Sequence, residues 1–181
     1  MKNRYIIVCV LLFILIGLLL LLRPKNTKPL EVTFQTKSSV ELENKLPISD
    51  ALGKKLTGSG SEEGIQGFIE FSVQNPNESS IEYQVLLRPI ETELEPINSN
   101  YIKLYLTDNK DQPYDGFEKN KIPTARELKV LPDKPKYRLL YSGSISGNQK
   151  KTFRLRSWLS DTYIIIKKRD LYSYEIVVQE K

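Results

Sequence analysis

Residues 5–22 read YIIVCVLLFILIGLLLLL, eighteen consecutive positions without a charge, and no other feature restricts the chain so strongly. At a helical rise of about 1.5 Å per residue the run covers roughly 27 Å, close to the ~30 Å hydrocarbon thickness of a bilayer. A soluble core helix of this length would keep a polar stripe, whereas only Gly17 interrupts the apolar surface here. A secretory signal would end in small residues, but Leu22 runs straight into Arg23, Pro24 and Lys25. The run is therefore expected to stay in place as a transmembrane helix, with Cys9 as a lipid-facing or helix-packing thiol. Lys2 and Arg4 precede it and Arg23, Lys25 and Lys28 follow, so the flanking positive charges nearly balance. A short basic tail ordinarily stays inside, which puts the larger C-terminal part outside the cytoplasm.

The chain then divides into a basic tail at 1–4, the transmembrane helix at 5–22, a Pro-bounded spacer at 23–29 and a body at 30–181. The body's length suits one domain. Its dominant period is two, the mark of half-buried strands. Val32 and Phe34 alternate with polar neighbours, as do Ile65, Ile69, Phe71 and Val73, then Ile81, Tyr83, Val85 and Leu87. Ile102, Leu104 and Leu106 separate from Tyr101, Lys103 and Tyr105. Tyr137, Leu139 and Tyr141, then Phe153 and Leu155, then Tyr172, Tyr174, Ile176 and Val178 complete seven candidates. ELKVL, residues 127–131, is a further possible strand, and 38–56 has room for a short helix or an edge strand. Turn-forming stretches such as NPNESS, DNKDQP and SGSISGN punctuate the series. The fold expected is mainly β: an N-terminal transmembrane helix followed by one antiparallel immunoglobulin-like β-sandwich.

The sequence contains no histidine and no cysteine other than Cys9. That excludes a disulfide framework, a His or Cys zinc site, and Ser-His-Asp or Cys-His nucleophiles. Walker-type and dinucleotide Gly-rich fingerprints are missing too, so no cofactor and no metal are expected. The net charge of +5 does not indicate a nucleic-acid partner. Five of the 27 basic residues flank or precede the apolar run, which leaves 22 basic against 22 acidic residues in the remainder. Within the body, 31–95 holds five basic and twelve acidic residues and 96–181 holds seventeen and ten, about −7 against +7. Mutual attraction of the two halves, or of neighbouring copies, accounts for that split.

The most distinctive stretch is FRLRSWLSDTY, residues 153–163. Unbroken alternation puts Arg154, Arg156 and Trp158 on one outer face, able to hold a carboxylate, a sugar or a neighbouring strand. The favoured reading is a bulge after Leu155 that turns Trp158 inward to seal the end of the core, because the only Trp of a small sandwich is usually packing material. Tyr101, Lys103 and Tyr105 make a second candidate interface row. Asp108, Asp111 and Asp115 bracket a loop, but not at EF-hand spacing, and fit turn chemistry better. The basic residues Lys134, Lys136, Arg138, Lys150, Lys151 and 167–169 read as solvated faces before they read as a polyanion patch. Asn77-Glu78-Ser79 fits the N-glycosylation acceptor pattern.

YIKLYLTD, LLYSGSI, FRLRSWLSDTY and SYEIVV, taken in order, resemble a group of uncharacterised single-pass surface proteins of low-GC Gram-positive bacteria and their mobile elements. They are more distantly similar to the sandwich subunits of TasA and camelysin-type fibres. The resemblance spans Tyr101 to Val178 and implies a sandwich fold and a surface location. It transfers no catalytic residue, since a camelysin-type peptidase would need a histidine ligand, and TasA-type subunits have a cleaved signal. The function expected is non-enzymatic: a membrane-bound body contacting other envelope or surface proteins, its own copies included. A glycan- or small-ligand-binding module and a virion membrane protein are alternatives. So is a hydrolase drawing two carboxylates from Glu62, Glu63, Asp111, Asp115 and Asp161.

Overall fold

The computed structural model describes residues 27–35, 37–43, 45–57, 67–91, 93, 96–118, 120–164 and 171–181. The expected membrane span at 5–22, with Cys9, lies outside the described residues, as do Glu62, Glu63, Ile65 and the basic run 167–169. Among the described residues no helix is long and apolar enough to cross a membrane.

Period-two patterning becomes strands throughout. In chain order these are β1 (Glu31–Phe34), β2 (Ser39–Glu43), β3 (Gly67–Gln74), β4 (Ile81–Pro89), β5 (Ile102–Thr107), β6 (Val130–Leu131), β7 (Lys134–Ile145), β8 (Lys150–Leu159) and β9 (Leu171–Glu180). A short helix, α1 (Asp50–Gly53), lies between β2 and β3, and a 3-10 turn at Ser99–Tyr101 leads into β5. The stretch 38–56 therefore supplies both the edge strand and the helix, and ELKVL supplies β6.

The strands form two antiparallel sheets, ordered β1-β3-β8-β5 and β2-β9-β4-β7-β6. Only β6 and β7 are consecutive strands within one sheet; every other connection passes from one sheet to the other. Such crossings bring the two inner faces together as a sandwich-like pair of layers. From the first sheet come Ile69, Phe71, Leu104, Leu106, Phe153 and Leu155, and from the second Leu42, Tyr83, Val85, Leu87, Tyr174 and Ile176, all in one buried cluster. Each large apolar side chain so buried stabilises by about 1.5–3 kcal/mol relative to exposure, before chain entropy is counted. The acidic and basic halves interleave in both sheets, and acids of the first half meet bases of the second at Glu70–Arg154, Glu91–Lys136 and Glu82–Lys181.

One alternation fails. Val85 pairs with Tyr141 but Leu86 pairs with Leu139, so Leu140 is an extra residue on β7. A bulge of this kind reverses the parity of everything beyond it. Tyr141 and Leu140 pack with the core, whereas Tyr137 lies outside with Lys134 over its ring. Tyr137, Leu139 and Tyr141 thus do not share the inward face that their spacing predicts.

The molecule has two distinct ends. At the leading end residues 27–30 arrive beside the turn at 75–80, the β7–β8 hairpin and the end of β9: Lys28 bonds to Asn77, Leu30 to Glu180, and Asn148 to the Asn77 carbonyl. At the far end Ile48 bridges Ser160, and Ser160 N donates to the Tyr101 carbonyl. β1 and β2 lie at the edges of the first and second sheets, β1 paired to β3 and β2 to β9.

Candidate functional site

The β5–β8 register places the residues singled out in the sequence next to one another. Lys103 faces Trp158, Tyr105 faces Arg156 and Thr107 faces Arg154 across the pair, all on the outer face of the first sheet. No bulge interrupts β8, so the inward turn of Trp158 favoured from the sequence does not occur, and Arg154, Arg156 and Trp158 form the outer row that unbroken alternation gives. The row is nevertheless covered by two segments of this chain.

The first cover is α1 with the residues after it. Gly53 lies directly on the indole of Trp158: a Cβ built there would sit 2.2 Å from the ring. Trp158 Nε1 donates to Asp50 Oδ1 at 3.2 Å, and the side chain is fully buried although it points away from the sheet interface. Trp158 is packing material on the outer face, held down by a helix rather than turned inward. Leu56 then offers its carbonyl to Arg156 Nε at 2.8 Å.

The second cover is the turn after β5. Asp108 Oδ1 accepts from Lys110 N and Gln112 N, both at 2.8 Å, which closes an Asx-type turn. Asp111 takes a left-handed φ of 57°, and its carboxylate lies 2.7 Å from Arg156 Nη2 and 3.5 Å from Arg154 Nη1. Arg156 also donates to Thr107 Oγ1 at 3.0 Å and lies over the Phe68 ring, 5.6 Å from its centroid. Arg154 is paired to Glu70 at 2.6 Å and donates to the Asn109 carbonyl. Hydrogen bonding from Arg156 holds the Asp111 carboxyl below its usual range. A glycosidase acid needs the opposite shift. Asp111 instead acts as counterion to a guanidinium whose side chain is only 5% exposed.

The second row is dispersed. Tyr105 is buried beside Arg156; Lys103 donates to the Ile122 carbonyl at 3.3 Å; Tyr101 packs its ring 5.3 Å from that of Tyr163. Lys103 also lines an open cleft of about 530 Å³ between the β5–β6 connection and β7, with Asp115, Lys121, Glu127, Leu140 and Tyr141. The Thr124 backbone N–H and hydroxyl both donate to Glu127, which lowers that carboxyl. Among the described residues no group of three or more acidic, histidine or cysteine side chains is placed to hold a metal ion.

Sequence reasoning missed the most exposed apolar residues. Ile164 is 76% exposed, Leu46 61% and Leu52 59%. Pairing locates all three at the far end: Ile48 N bonds to the Leu159 carbonyl, α1 packs on β8, and Tyr163 N bonds to Ser160 O. The half-buried Tyr101–Tyr163 pair belongs to the same end, where Ser160 N bonds to the Tyr101 carbonyl. Isolated apolar residues in loops and a four-residue helix carry no periodic signal, so only the folded arrangement reveals their common location. No family model, no characterised protein and no solved structure matches the chain.

Proposed function

We propose that this chain is a membrane-anchored, non-enzymatic sandwich protein, immunoglobulin-like in finer topology, that mediates protein contacts in a surface or envelope assembly or as an accessory subunit of a membrane complex. In this reading 5–22 is a retained transmembrane helix, the body lies outside the cytoplasm, and the kinship is with single-pass surface proteins of low-GC Gram-positive bacteria. The observation that carries it is the far end, where Leu46, Leu52 and Ile164 remain in solvent beside two tyrosines. Aliphatic and aromatic side chains in one solvent-facing region are the composition of protein interfaces. The charged outer face adds support, because its arginines are already neutralised within the chain.

A photoreactive amino acid placed at position 52, and for comparison at Gln84 on the outer face of the second sheet, tests this in intact membranes. Protein adducts from position 52 and none from position 84 are expected. Recovery of the monomer alone from both positions overturns the proposal. A second reading, a glycan- or small-ligand-binding module, is favoured by the cleft beside Lys103. Saturable binding of an envelope oligosaccharide that Lys103→Ala abolishes would support it over the first.

A further inference from the structure

The segment that joins the apolar run to the body does not leave the body freely. Asn77 Oδ1 accepts from Lys28 N and Asn77 Nδ2 donates to Lys28 O, both at 2.8 Å, so one carboxamide satisfies both backbone groups of Lys28. The carboxamide is itself braced: its nitrogen and the Asn77 N–H both donate to Asn75 Oδ1, each at 3.0 Å. Asn75 is fully buried and anchored through Nδ2 to the carbonyls of Ser79 and Ile145. Two residues on, Leu30 N donates to Glu180 Oε1 at 3.0 Å. Residues 28–30 are therefore fastened at two points, to the turn between β3 and β4 and to the end of β9. The acceptor nitrogen of the glycosylation motif is the same Asn77 Nδ2, already occupied.

Only Arg23 to Thr27 separate the last residue of the apolar run, Leu22, from the fastened Lys28. The six steps from Leu22 to Lys28 reach at most about 22 Å even fully extended. The headgroup layer on each side of a bilayer takes up roughly 6 Å of that. The turn at 75–80 and the β7–β8 hairpin surround the fastening point, and they present Glu78, Ser79, Asn148 and Lys150 to solvent rather than large aliphatic groups. Ser79, Asn148 and Lys150 can donate to phosphate and glycerol oxygens, and Glu78 suits a choline ammonium, without any of them entering the hydrocarbon.

We propose that the Asn77 and Glu180 contacts make a rigid mount: the 75–80 turn and the β7–β8 hairpin are seated against lipid headgroups, and the body stands upright on them. This rests on the membrane-anchored reading above and extends it to orientation. The ten residues of β8 run from the mounted end to the far end, about 33 Å at strand rise. The exposed leucines and Ile164 are thereby held at a set height and face away from the bilayer, so a partner must meet them there.

The test uses the full chain with Cys9→Ser, reconstituted in phosphatidylcholine vesicles carrying a nickel-chelating lipid. Spin labels are attached through Ser79→Cys at the mounted end and Leu52→Cys at the far end. The label at 79 is expected to lose most of its signal amplitude to nickel relaxation and the label at 52 none. Glu180→Ala lies at the exposed end of β9 and leaves the core intact; with Asn77→Ala it is expected to collapse the contrast between the two labels. Equal relaxation at both positions in the latched protein, or an unchanged contrast in the released one, overturns the mount. Flotation separates this from the parent reading: a chain that floats with vesicles but shows no contrast refutes the mount alone, and a chain that does not float refutes the anchor as well. Buried-type Trp158 emission confirms that each variant is folded.

Discussion

Gly53→Ala opposes two effects whose sizes differ enough to decide the outcome. In an unconstrained helix, alanine is favoured over glycine by about 1 kcal/mol. Here the new methyl would meet Trp158 Cδ2 at 2.2 Å, Cε2 at 2.3 Å and Cε3 at 2.7 Å. These are atoms of a rigid fused ring, not the end of a flexible chain, and the ring is fully buried with its Nε1 tied to Asp50. Relief requires α1 to lift or the indole to leave its rotamer, at a typical overpacking cost of 1–3 kcal/mol or somewhat more. Because α1 has only four residues, little of the propensity gain is realised. The net expectation is a loss of about 2 kcal/mol, which for a body of this size lowers the thermal midpoint by roughly 4–8 °C. Trp158 is the only tryptophan, so its emission reports the same event without labels. A red shift together with the lowered midpoint is expected. An unchanged midpoint with an unchanged spectrum would refute the claim that α1 is clamped onto the outer face of the first sheet.

The Asp111 carboxyl is depressed in the folded state, so its contribution is present above the unfolded value of about 3.9 and disappears as pH falls through the folded one. Asp111→Asn should flatten the acid limb of a stability-versus-pH curve, by no more than about 1 kcal/mol because the carboxylate is largely exposed; a parallel curve would contradict this. Burial raises the phenols of Tyr83, Tyr114 and Tyr174, and that of Tyr172 to about 12. Their stabilisation is therefore complete below the unfolded value near pH 10 and is lost above it, so tyrosinate absorbance should appear together with unfolding rather than before it. The Tyr83 hydroxyl is buried with no hydrogen-bond partner among the described residues, so Tyr83→Phe should leave the midpoint unchanged or raise it; a fall of more than about 1 kcal/mol would show an unrecognised bond.

Alternation was legible because an inward face and an outward face impose different chemistry on successive residues. It located β3, β4, β5, β8 and β9 and their inward rows. It could not anticipate Leu140, since one inserted residue on β7 leaves no mark in composition and reverses the face of Tyr137. Unbroken alternation gave the outer row of Arg154, Arg156 and Trp158, but the single Trp favoured a bulge that β8 does not contain. What covers the row was not legible, because 50–57 and 108–113 reach that row from sequence separations of about fifty to a hundred residues, and pattern reading within a strand says nothing about distant segments. Asp108 was readable as turn chemistry, but the counterion role of Asp111 depends on a left-handed φ that only the folded turn displays. The Asn77 fastening shows the same limit: NPNESS announces a turn, and Lys28 gives no sign that it is the turn's partner.

The central claim is that the far end is the surface through which this protein meets another. It is tested most directly by measuring the size of the species extracted from membranes in mild detergent, for the unaltered chain and for one carrying Leu46→Glu, Leu52→Glu and Ile164→Lys. All three side chains are mostly exposed, so the thermal midpoint should not move. The account predicts a complex larger than the monomer for the unaltered chain and the monomer for the variant. A unaltered chain that is already monomeric, or a variant that retains the full complex, would contradict it.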